Sequence, residues 1–195
     1  MKLYIPTGKL RTLFPMSGRR FQGDTPTPFD AWIAACIYTW RSPFLTPEAV
    51  FQALGRLESL KKHRHKQRGV EQIAGSLRVL KKRGLIEAAT LSKKTGQFRI
   101  VAHFPDRTKE FYTALNSEAA RLPAREQIVY LCIKATRLPV LHWKQIASYF
   151  SPRPHAPKKT VLSAFEQLVE SGFLHGHVED SYIVLHPLKE KFSKT

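Results

Sequence analysis

Residues 76–101, SLRVLKKRGLIEAATLSKKTGQFRIV, decide the reading of the fold. Val70, Ile73, Leu77 and Leu80 recur at helical spacing, which predicts one apolar face of a helix. Gly84 stands where a left-handed residue closes such a helix. Two strand-like runs follow, residues 85–91 and 97–104, joined by Ser92-Lys93-Lys94-Thr95-Gly96. A glycine-containing turn between two such runs predicts a hairpin.

Working outward, residues 28–41, PFDAWIAACIYTWR, predict a buried helix that Pro43 stops. Thr46-Pro47-Glu48 is an N-cap signature that opens a second helix. A basic loop, RLESLKKHRHKQR at 56–68, leads into the third. After a predicted linking helix at 106–122 the pattern returns, with helices at 124–136, 142–150 and 157–171 and a shorter hairpin at 173–186. The halves also match residue by residue. At a separation of 96, Cys36-Ile37, Arg41, Pro43, Leu45 and Val50 meet Cys132-Ile133, Arg137, Pro139, Leu141 and Ile146. At a separation of 88, Ile73, Leu77, Leu80 and Gly84 meet Val161, Phe165, Leu168 and Gly172. The order of matched Gly, Pro, Arg and Cys favours an internal repeat over chance agreement of apolar residues.

Residues 76–101 and 161–185, VLSAFEQLVESGFLHGHVEDSYIVL, both resemble the third helix and wing of the winged-helix DNA-binding superfamily. The expected fold is therefore mainly α with small β-hairpins, an α+β chain of two tandem winged-helix domains. Its expected parts are a basic N-terminal arm at 1–26, domain 1 at 27–105, the linking helix at 106–122, domain 2 at 123–187 and a tail at 188–195. The resemblance implies that the third helix enters the DNA major groove and that the wing touches backbone or minor groove. Some members of the superfamily bind only protein, so the fold alone does not settle the partner.

Charge points to a polyanionic partner, nucleic acid first and an anionic membrane surface second, and together with the resemblance it points to double-stranded DNA. The 195 residues hold 32 Lys+Arg against 15 Asp+Glu, a net charge of +17. Such an excess opposes compaction and is characteristic of a chain whose partner is a polyanion. Residues 1–105 carry 19 Lys+Arg and 6 Asp+Glu, net +13; residues 106–195 carry 13 and 9, net +4. The first half is thus the main candidate. If the apolar face of its third helix points inward, Glu71, Gln72, Gly75, Arg78 and Lys82 point outward. Gln72 and Arg78 can make bidentate bonds to adenine and guanine edges. Gln67 and Arg68 open the helix, where the dipole and free N–H groups favour phosphate, and Arg64 and Lys66 precede it in the basic loop as further DNA-binding candidates. Lys93, Lys94 and Arg99 fall on the wing. In the second half Lys158, Lys159, Thr160, Ser163 and Gln167 take the outward face, and the two acids of Glu179-Asp180 suit its wing poorly to phosphate. That half is expected to contact DNA through its helix, or a protein partner or second copy of the chain.

Other chemistry finds little support. Cys36 and Cys132 sit inside apolar helical patterns and read as buried thiols. His63 and His65, like His175 and His177, are two apart and could share a strand face toward a metal, but no CxxC or HExxH accompanies them and a solvated reading is preferred. Acids are sparse and no phosphate-binding glycine loop occurs, so neither an enzyme nor a cofactor is expected. No run of ~18 apolar residues predicts a membrane span, and the N-terminus lacks the apolar stretch of a secretory signal. The chain is expected in the cytoplasm on the nucleoid, or in a nucleus. Three readings remain: a sequence-specific regulator of transcription, an origin-binding initiator or DNA-architecture factor, and a protein-interaction module. The +13 of the first half argues against the last.

Overall fold

A computed structural model describes residues 1–14, 26–57, 63–147, 149 and 157–187, without the side chains of 63–66. It is an α+β structure whose strands form small antiparallel sheets.

The chain opens with β1 (Lys2–Pro6) and α1 (Thr7–Leu13). Then come α2 (Pro28–Trp40), β2 (Phe44–Leu45), α3 (Pro47–Ala53), α4 (His63–Lys82), β3 (Ala88–Ser92) and β4 (Gln97–Val101). A strand, β5 (Tyr112–Asn116), and a 3-10 turn (Ser117–Arg121) separate these from α5 (Ala124–Thr136), β6 (Val140–His142), α6 (Trp143–Ala147), α7 (Lys158–Glu170), β7 (Gly176–Glu179) and β8 (Tyr182–Leu185). The succession helix, short strand, helix, helix, hairpin occurs twice. In each half the short strand pairs with the second hairpin strand, giving the orders β2-β4-β3 and β6-β8-β7.

Local chemistry sets these boundaries. Thr27 caps α2 in a reciprocal box with Asp30, and Pro28 pre-sets the first turn. Thr46 accepts from the Ala49 N–H to start α3. Gly84 and Gly172 close α4 and the α7 turn at φ +68° and +73°, a region that side chains with a Cβ avoid. Arg41 and Arg137 end α2 and α5 in that same region, at φ 53° and 56°.

α2 is buried on nearly every side, as an all-round apolar helix must be. It lies against α5, where the Trp32 ring stacks on Tyr130 at 6.2 Å and its Nε1–H donates to Gln127 Oε1 at 2.9 Å. Gln127 in turn donates to the Ala120 and Leu122 carbonyls, so the polar atoms in this seam are paired.

Three expectations need correction. Residues 2–13 are not an irregular basic arm: Leu3, Ile5, Leu10 and Leu13 are fully buried in a core continuous with both halves. Residues 106–122 do not form a linking helix: β5 pairs antiparallel with β1, Leu3 opposite Leu115 and Ile5 opposite Thr113. Alternation at Thr113 and Leu115 buries one face of this ribbon, which a helix of the same residues could not present. Finally, the segment from residue 63 is helix rather than loop, since Lys, Arg and Gln are good helix formers that extend the apolar-periodic part backward. Residues 15–25 of the arm, Lys61 and Lys62 of the basic loop, and the tail from 188 lie outside the described residues.

Candidate nucleic-acid interface

α4 presents its Ile73, Leu77 and Leu80 face to the core and the opposite face to solvent. Arg68, Gln72, Gly75, Val79 and Lys82 succeed one another there at spacings of three and four, and Gln67, Glu71 and Arg78 run beside them. Gln67 and Arg68 therefore stand in the second turn of a long helix and not at its N-terminus, which withdraws the helix-end argument for phosphate at these two residues. The side chains of Arg64 and Lys66 lie outside the described residues.

Gln72, Arg78 and Lys82 come together along a groove of about 650 Å³ between α4 and the start of α2, which Thr27 and Arg56 also line. Arg56 is anchored by donation to the Ala120 carbonyl, and partial burial lowers its pKa. Arg78 bonds the Ala74 carbonyl through Nε at 3.4 Å. Gln67 leans on Glu71, with 3.5 Å between Nε2 and Oε1. A Cβ at Gly75 would meet nothing within 4 Å, so internal packing does not require glycine there.

The β3–β4 hairpin carries Lys93 and Lys94, both exposed, at its turn. Arg99 points to the outer face of the sheet, beside Phe44 and Thr90 in one cross-strand row. Together they border a separate depression of about 350 Å³. Phe44 is 53% exposed, an aromatic surface that the sequence reading missed because a two-residue strand carries no periodicity. Among the described residues, no carboxylate pairs with Arg68, Arg78, Lys93, Lys94 or Arg99. The helix and hairpin thus offer uncompensated cations, interleaved with an amide and an aromatic.

The second half differs. Lys158 donates to Ser181 Oγ at 3.0 Å, tying the start of α7 to the second hairpin turn; Lys159 and Ser163 are exposed and Thr160 is half-buried. Gln167 is engaged with Glu170, Nε2 to Oε2 2.8 Å. At the separation of 88 residues, Arg78 corresponds to Glu166 and Lys82 to Glu170, both exposed. The sign of charge is therefore inverted at equivalent helix positions. The hairpin turns repeat the inversion, with Lys93-Lys94 in the first and Glu179-Asp180 in the second. The signal was present in the sequence once the repeat was aligned through the whole helix.

Cys36 and Cys132 are buried free thiols, and desolvation pushes Cys36 up to about 12. His177 bonds His186, Nδ1 to Nε2 2.8 Å. Among the described residues no three His, Cys, Asp or Glu side chains gather as metal ligands would, and no helix is long and apolar enough to cross a membrane. No family profile, no curated protein and no solved structure matches the chain.

Proposed function

We propose that the chain is a double-stranded DNA-binding protein built from two tandem winged-helix units, the first of which carries the DNA surface. The observation that carries this reading is the set of exposed cations Arg68, Arg78, Lys93, Lys94 and Arg99, on one helix and its following hairpin, that no carboxylate among the described residues pairs with. Cations without counter-ions repel one another, and neutralising phosphates converts that repulsion into counterion release. In the winged-helix reading α4 lies in the major groove with Gln72 and Arg78 toward base edges, while Lys93 and Lys94 hold the backbone. Such a protein works as a regulator of transcription on the nucleoid or in a nucleus; an origin-binding initiator or DNA-architecture factor uses the same surface.

The second half supports a different role. With Glu166 and Glu170 where the first half has Arg78 and Lys82, α7 is electrostatically suited to a basic protein surface, including a second copy of this chain, rather than to phosphate. Lys158, Lys159, Thr160 and Ser163 then sit at the edge of that contact.

Selection from random duplexes, followed by titration of Arg78→Ala on the selected and scrambled sites, tests the proposal. The expected result is an enriched sequence and a loss of ~1–3 kcal/mol on the selected duplex alone. Equal losses on both duplexes make Arg78 a backbone contact, and absence of enrichment overturns sequence-specific reading. Promoter footprints then favour the regulator, and repeated sites near an origin the initiator.

A further inference from the structure

A depression of about 620 Å³ opens where α5 ends, between β5 and the second hairpin. Its floor is apolar: Ile133 and Leu174 are buried, and Phe173 and Leu185 half-buried. Lys134 and Arg137 stand in its wall, about one helical turn apart on the end of α5. His175 and His186 complete the polar rim, and among the described residues no Asp or Glu lines the space.

Lys134 is the informative member. It is half-buried, with Nζ 5.5 Å from the centroid of the Tyr130 ring, and burial lowers its pKa. Among the described residues no carboxylate pairs with it. Arg137 donates through Nη2 to the Tyr112 carbonyl at 2.9 Å, and its guanidinium lies 5.6 Å from the ring of Phe111, which is 79% exposed. Two cations that no described carboxylate pairs with thus border an apolar hollow of small-molecule size.

We propose that this depression is a binding site for a small amphipathic anion, a carboxylate or sulfonate carried on an apolar body. The body covers the Phe173 and Leu185 floor and leaves water, and the anionic head supplies the counter-charge that Lys134 lacks. A neutral apolar molecule satisfies only the first of these, and a phosphate chain only the second. None of the residues assigned to the duplex takes part, so this site and the DNA surface stand or fall separately.

Fluorescence titration of the full chain with anilinonaphthalene sulfonate, and with its uncharged counterpart phenylnaphthylamine, tests the site. The expected result is saturable one-to-one binding of the sulfonate, displaced by decanoate, with the uncharged probe about tenfold weaker. Lys134→Met should weaken the sulfonate about tenfold without lowering the thermal midpoint, since it removes a desolvated, unpaired charge. Leu138→Asp, at an exposed position on the rim, should weaken it as well by adding a like charge. Equal affinity for the two probes, no effect of either substitution, or no saturable binding overturns the proposal.

Discussion

Arg41 and Arg137, equivalent residues 96 positions apart, both reach the same residue, Tyr112. Each ends its helix in the left-handed region and returns its N–H to an isoleucine carbonyl, of Ile37 and Ile133 respectively. Arg41 then donates through Nη2 to the Tyr112 hydroxyl at 3.2 Å and to the Pro105 carbonyl at 2.5 Å, while Arg137 donates to the Tyr112 carbonyl. The β1–β5 ribbon is thus held from both halves by the same device used twice. A residue with a Cβ in this region is strained by ~1–2 kcal/mol, which the side-chain bonds offset. Arg41→Ala keeps the strain and loses the bonds, whereas Arg41→Gly loses both. Equilibrium denaturation should find the glycine variant more stable than the alanine variant by about 0.5–1 kcal/mol; equal stabilities would refute the strain argument.

Gly75 sets stability against binding. A glycine inside an exposed helix face lowers stability by ~1 kcal/mol relative to alanine, and no neighbour here requires it. Gly75→Ala should therefore raise the denaturation midpoint. If α4 approaches the duplex closely at this point, the same substitution weakens DNA binding. A variant that is more stable and binds equally well would move the duplex away from the middle of α4.

Much of this architecture was legible in the sequence, and the parts that were not share a cause. Helix boundaries marked by local chemistry, such as Thr46-Pro47 and the glycines at 84 and 172, could be read because every signal lies within a few residues. The β1–β5 ribbon could not, because its partners are over a hundred residues apart and each strand is only five long. Leu3 and Ile5 do alternate with Lys2 and Tyr4, but the surrounding Pro, Gly and Arg made the segment read as an arm. At the candidate site, outward residues of α4 followed from the apolar period. Phe44 and Arg56 did not, since only folding brings them near the hairpin and the helix.

Alkali should unfold the protein through its buried acids. Cys36 is held at about 12 against an ordinary 9.0, Tyr38 at about 12 against 10.0, and burial raises Cys132 too. The folded state keeps protons that the unfolded state has released, so the stability these groups contribute is full below pH 9 and is lost as pH rises toward about 12. The Cys36 thiol adds a slope of about −1.4 kcal/mol per pH unit within that window. Cys36→Ala should flatten the decline between pH 9 and 10 while lowering stability at neutral pH. An unchanged slope would mean that the thiol ionises in the folded protein.

The charge inversion between the helices gives a test of which half meets DNA. Glu166→Gln with Glu170→Gln removes two negative charges from α7. If α7 does not face the duplex, affinity should stay within about twofold, because screened charges beyond a Debye length contribute little. A rise of about tenfold or more would place α7 against phosphate.

The dependence of duplex affinity on salt tests the central claim most directly. Neutralisation of ~6–8 phosphates by α4 and the first hairpin predicts that log affinity falls linearly with log salt at a slope of about −5 to −7. Lys93→Ala and Lys94→Ala should each flatten it by about one, on every sequence alike. A slope near zero, in the wild-type chain at measurable affinity, would contradict the account of this protein as a DNA-binding one.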